Sequence, residues 1–173
     1  MVPDPFDPEA LARAARLAQA ADARSARADW GQLGAEEATL ATVLERLARA
    51  GRAVRLSSVA GPQVGSVRAL GPDHVLLADH GRWRYLRLAG VGTVEAAGEH
   101  EGAGPERRDR SFLEALGHLV GSAVTLVVAD GAAHRGTVTA VGPDVVTLQR
   151  EGPTGPLYVS SSAVAGAFGE GSG

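Results

Sequence analysis

Arg82-Trp83-Arg84-Tyr85-Leu86-Arg87 sets three cations among two aromatic rings in a run of six residues. Arginine grips phosphate with a planar two-pronged fork, and an aromatic face stacks on a nucleic-acid base for about 1–3 kcal/mol. Side chains alternate along an extended strand, which puts Arg82 and Arg84 on one face and Trp83, Tyr85 and Arg87 on the other. Arg52, Arg55 and Arg68 extend the patch if the fold gathers them. The candidate nucleic-acid site is therefore Arg52, Arg55, Arg68, Arg82, Arg84 and Arg87 as phosphate contacts, with Trp83 or Tyr85 as the stacking platform. In the competing reading, the rings belong to a core and the arginines to a solvated face.

Charge is unevenly spread. The formal net charge is −3, yet residues 40–94 hold eight Arg against three acids, while residues 111–168 hold two Arg (Arg135, Arg150) against four. One half is basic and the other mildly acidic.

Catalytic chemistry finds little footing. The chain has no Cys and no Lys, so disulfides, thiolate metal sites, Schiff bases and a P-loop are all excluded. His74, His80, His100, His118 and His134 never fall at the i, i+4 spacing of a metal-binding helix, and each reads as a surface residue. Ser160-Ser161-Ser162 lacks the glycines of a nucleophile elbow. Asp73 and Asp144 sit in Gly-Pro-Asp turns, where a carboxylate accepts from nearby amides. The expectation is a protein that is not an enzyme and needs no metal or cofactor.

The elements that would carry these residues follow from an internal repeat. GSVRALGPD from Gly65 recurs as GTVTAVGPD from Gly136, and Gly51-x-x-Val54-x-Leu56 recurs as Gly121-x-x-Val124-x-Leu126. Downstream, Val75, Leu77, Tyr85 and Val91 correspond to Val146, Leu148, Tyr158 and Val164. Each copy opens on a helical pattern. Leu40, Val43, Leu44 and Leu47 make one apolar stripe, and Ser111-Phe-Leu-Glu114 has the spacing of a capping box. Period-two runs broken by Gly, Pro and Asp follow, predicting about five short strands per copy. A sheet of that size bends into a small barrel to hide its edges.

The predicted organisation is an Ala-rich N-terminal helical extension (1–33), a basic barrel (34–95), a Gly/Glu/Arg-rich solvated linker (96–109), a mildly acidic barrel (110–168) and a disordered tail (169–173). The fold class is mainly β, as two tandem Sm-like or SH3-like small barrels, each preceded by a short helix. There is no run of the ~20 apolar residues a membrane helix needs. MVPDPFDPEA carries acids where a secretory signal would be basic, so cytoplasmic residence is the default expectation.

A helix, then G-x-x-V-x-L, a turn, the G-x-V-x-x-V-G-x-D-x-V-x-L run and a last hairpin resembles the Sm-like family, which includes Sm, LSm and Hfq proteins. The second copy, Leu116 to Val164, carries the likeness best, with Leu157-Tyr158-Val159-Ser160 and Ser162-Ala163-Val164 as the closing strands. The resemblance implies RNA binding and ring assembly. The base-reading Asn of eukaryotic and archaeal members has no counterpart, because the chain contains no Asn, and the Arg-Gly pair of the last hairpin is absent from both copies. Two functions stay open. One is binding of single-stranded RNA or other nucleic acid through the basic copy. The other is a scaffold for self-association or a protein partner, using barrel edge strands without nucleic acid.

Overall fold

The computed structural model describes residues 38–99 and 104–171. The chain divides at Ala38/Thr39, and the helix expected within residues 1–33 lies outside the described residues.

Helix α1, Leu40–Arg49, starts where the Thr39 hydroxyl accepts the Thr42 N–H at 3.2 Å, which satisfies one of the free amides of a first turn. Its apolar stripe drives Leu44 and Leu47 into the core. Gly51, at φ 65°, then turns the chain into a conformation that glycine adopts without strain. The strands β1 (Arg52–Ser58), β2 (Gly61–Leu70), β3 (His74–Asp79), β4 (Arg82–Arg87) and β5 (Val91–Glu99) complete the first copy. Their inward residues, among them Val54, Leu56, Val75, Leu77 and Leu86, close one core with the helix.

The second copy repeats the plan. Helix α2, Phe112–Gly117, carries the full capping box: the Ser111 hydroxyl accepts the Glu114 N–H, and the Glu114 carboxylate accepts the Ser111 N–H at 2.7 Å. Next come β7 (Ala123–Val128), β8 (Ala133–Val141), β9 (Val145–Gln149), β10 (Leu157–Ser160) and β11 (Val164–Glu170), with the two-residue β6 (Glu106–Arg107) between the copies. The correspondence extends to irregularities. β2 bulges between Val67 and Ala69 against β3, and β8 bulges between Val138 and Ala140 against β9. The extra residue bends the strand at the same point in each copy.

Two separately closed barrels were expected, and here the structure differs. The strands form one open sheet in the order β10-β9-β8-β7-β11-β4-β3-β2-β1-β5, with β6 parallel to β2. Each copy contributes its fourth, third, second, first and fifth strands in that order. The copies join where β11 pairs antiparallel with β4, matching Ala167 to Tyr85 and Glu170 to Arg82. A free strand edge carries unpaired amides and carbonyls, and the two edges satisfy each other rather than closing within their own copy. Pairing also runs through the segments flanking the two copies. Arg52–Val54 extend the ladder of β5 to Glu99, β6 lies against Ala69 and Leu70, and Arg82 holds β11 in register to Glu170. Among the described residues no helix is long and apolar enough to cross a membrane.

Two repeat-equivalent glycines mark where strands approach most closely. A Cβ on Gly65 would lie 2.8 Å from the Ala78 carbonyl oxygen, and one on Gly136 would lie 2.5 Å from that of Gln149. Alanine at either site forces backbone apart. Gly136→Ala and Gly65→Ala are each expected to lower stability by roughly 1–3 kcal/mol, the first more, as read by urea denaturation.

Acid sensitivity has a local cause as well. Hydrogen bonds from Ser111 hold the Glu114 carboxyl below the usual carboxylate range, and the Arg107 guanidinium does the same to Glu45, assisted by Arg49. A depressed folded-state pKa contributes stability above the unfolded value of about 4.3, which is lost as pH falls through the folded value. Glu114→Gln should therefore lower the thermal midpoint at neutral pH and flatten its decline between about pH 5 and pH 2.

Candidate binding surface

The Arg82–Arg87 run is strand β4, and it lies inside the sheet, between β3 and β11. This position decides what most of its side chains do. Tyr85 is 9% exposed and belongs to the core of the second copy, not of its own. Trp83 is half-buried against the same core and meets Tyr85 edge-on, with ring centroids 5.6 Å apart. In exchange, Phe168 of β11 packs against the core of the first copy.

Arg87 clamps the joint. Its Nε donates to the Val164 carbonyl at 3.2 Å, its Nη2 to the Ser161 carbonyl at 3.1 Å, and its guanidinium lies 4.7 Å from the centre of the Phe112 ring. Charge-assisted hydrogen bonds and a cation over a ring are the stronger kinds of polar contact. Arg84 donates to the Val64 carbonyl at 2.9 Å and stands 3.8 Å from Asp79. Arg82, exposed, pairs with Glu170 at 3.4 Å. Arg55 and Arg68 are exposed, and Arg52 is half-buried, its Nε finding no hydrogen-bond partner among the described residues.

The structure brings together only part of the predicted patch. Arg68, Arg82 and Trp83 line a cleft of about 900 Å³ with Arg108, and Arg82, Trp83 and Arg84 line a second of about 350 Å³ with Arg135. Arg52 and Arg55 line neither. Across both clefts, five arginines (Arg68, Arg82, Arg84, Arg108, Arg135) face four carboxylates (Asp79, Glu99, Glu106, Glu170). The basic surplus of the first copy is thus largely cancelled by acids delivered from β5, β6 and β11.

Residues that sequence reasoning passed over do more at the joint. Asp73 Oδ1 accepts the Phe112 N–H at 2.6 Å, tying the Gly-Pro-Asp turn of the first copy to the helix of the second. His74, read as a surface residue, is fully buried, with its ring packed between Tyr85 and Phe112. Gly71 makes this possible, since a Cβ there would collide with the imidazole. The signal was present: the counterpart of His74 in the second copy is the apolar Val145. Among the described residues no three His, Asp or Glu side chains gather as metal ligands would.

Arg87→Ala should cost about 2 kcal/mol or more in urea denaturation, since it orphans carbonyls at the joint. Arg55→Ala, on an exposed side chain, should stay within about 0.5 kcal/mol. No protein-family model matches the chain, and no curated protein sequence matches it either.

Proposed function

We propose that this protein is a non-enzymatic assembly module of two Sm-like repeats, which joins copies of itself through its two free sheet edges. One observation carries the reading. Tyr85 and Tyr158 are repeat equivalents, yet Tyr85 is 9% exposed beneath β11 while Tyr158, on β10, is 67% exposed. Among the described residues, β10 pairs only with β9 and β5 only with β1. The internal joint matches the fourth strand of one copy to the fifth strand of the other. The two strands left over are a fourth strand, β10, and a fifth strand, β5.

Transferring the register of the joint places Tyr158 opposite Val94 of a second copy, as Tyr85 lies opposite Ala167. Asp144, exposed, then stands where Asp73 does, positioned to accept the N–H of Leu40 in the next α1 as Asp73 accepts that of Phe112. Neither free edge strand sets like charges against the other, since β10 carries no charged residue and β5 carries only Glu95 and Glu99. Such a contact uses two different surfaces and closes into a ring when its rotation allows. Against the nucleic-acid alternative stand the burial of Tyr85 and the balance of charge in the larger cleft, where three arginines face three carboxylates.

Sedimentation velocity over roughly a hundredfold concentration range tests the proposal. Self-association is expected, weakened about tenfold or more, near 1.4 kcal/mol, by Tyr158→Asp and by Asp144→Ala. A wild-type monomer throughout the range would overturn it. Steeply salt-dependent binding of labelled single-stranded RNA by that monomer would favour the nucleic-acid reading instead.

A further inference from the structure

The two repeats differ at one stretch of strand edge that the β4–β11 joint does not use. In the first copy, β6 runs parallel to the end of β2, setting Glu106 against Ala69 and Arg107 against Leu70. The Arg108 N–H then donates to the Leu70 carbonyl at 2.9 Å. Ala69 and Leu70 are 0% and 5% exposed. Their repeat equivalents on β8 are Ala140 and Val141. Ala140 is exposed and Val141 half-buried, and among the described residues β8 pairs only with β7 and β9.

The backbone of β8 is set for the partner that β2 has. Gly71 donates its N–H to the His74 carbonyl at 2.9 Å, and Gly142 donates to that of Val145 at 2.8 Å, so the two turns close alike. Bonded residues alternate along an antiparallel pair, so Leu70 and Val141 turn their own N–H and C=O away from β3 and β9. On that outer side Leu70 meets β6. The β7 ladder ends at Thr137, with Gly121 and Ser122 bonded to Val138, and among the described residues it leaves Val141 open. An open backbone edge is a template for another extended segment.

What fills the slot in the first copy indicates what fits it in the second. β6 belongs to the chain that leads into α2, the helix of the following repeat. In the head-to-tail assembly proposed above, the repeat that follows the second copy is the first copy of another chain. Thr39 caps α1 as Ser111 caps α2. Counting back from the two caps sets Gly34 against Glu106, Ala35 against Arg107 and Glu36 against Arg108.

We propose that residues 34–36 of a second copy, just ahead of the described residues, run parallel along Ala140–Val141, with the Glu36 N–H donating to the Val141 carbonyl. The contact rests on the head-to-tail assembly and adds to it an interface that neither β10 nor β5 supplies. The exchange of side chains agrees with it. Arg107 is bound to Glu45, buried on α1, whose carboxylate accepts from both its Nε and its Nη2. A buried carboxylate without such a partner is costly. Counted from the caps, Gly117 stands where Glu45 does and Ala35 where Arg107 does. Both charges are absent together, so the second slot takes its strand with no ion left unpaired.

The chain has no cysteine, which allows a direct test. Full-length Ala140→Cys and Gly34→Cys, one of them tagged so that the mixed dimer is resolved by size, are combined and oxidised. The concentration is one at which sedimentation velocity finds the wild type associated. A mixed disulfide dimer is expected in clear excess over that from Ala140→Cys with Ala23→Cys. Ala140 is exposed and Gly34 precedes the described fold, so neither substitution touches a core. Glu36→Pro removes the donating amide and keeps the backbone extended, and it should weaken association about fivefold. Glu36→Ala keeps the amide and should associate as wild type. A wild-type monomer overturns the assembly and this contact with it. An associating wild type overturns this contact alone in any of three cases: Gly34 crosslinks no better than Ala23, Glu36→Pro has no effect, or Glu36→Ala loses as much as Glu36→Pro.

Discussion

Pairing of β4 with β11 is the contact on which everything else in the described structure rests. A five-stranded unit of some sixty residues buries a modest share of its surface and leaves edges open. Joined, each copy lends the other a large side chain: Tyr85 crosses into the second core and Phe168 against the first. The backbone ladder supplies direction and register, while the aromatic exchange supplies apolar burial. Arg87 and Asp73 then fasten what the strands have aligned, one to Val164 and Ser161, the other to the first amide of α2. None of these four side chains can serve its role in one copy alone.

This explains the fate of the basic patch. Arginines on an outer strand would be free to hold phosphate. On an inner strand they meet carbonyls and carboxylates from their neighbours, as Arg84 meets Val64 and Asp79 and Arg82 meets Glu170. Arg82, Arg84 and Arg87 of the candidate set thus act as fasteners between strands, while Arg55 and Arg68 stay exposed. What decides between the two is whether the strand has one neighbour or two.

Much of each repeat was legible beforehand. The helical stripe of Leu40, Val43, Leu44 and Leu47, the Ser111–Glu114 capping box and the paired Gly-Pro-Asp turns all depend on residues within a few positions of one another. Such local rules survive in any tertiary setting. The bulges at Arg68 and Thr139 left no such mark, because they appear only when β2 and β8 are laid against their neighbours. Nor did the continuity of the sheet, since Tyr85 and Tyr158 occupy the same place in the same pattern and differ sevenfold in exposure. No periodicity can separate them. Their difference lies in a strand more than eighty residues from Tyr85 in one case, and in the lack of any described neighbour in the other.

Where the repeats diverge in sequence, they diverge at the joint. Arg87 is matched by Ser160 and His74 by Val145, while Tyr85 and Asp73 are kept, as Tyr158 and Asp144. The first copy therefore holds a clamp and a buried polar ring at its outgoing edge, and the second copy holds neither. A joint within one chain never has to open, so strong, desolvated contacts cost it nothing in reversibility. Under the proposed self-association, a free edge that meets and leaves a second copy is better served by one aromatic anchor and a turn carboxylate, with serine where the internal joint has arginine. Of the residues that fasten the internal joint, Arg87 and His74 are replaced in the second copy, while Tyr85 and Asp73 are kept as Tyr158 and Asp144.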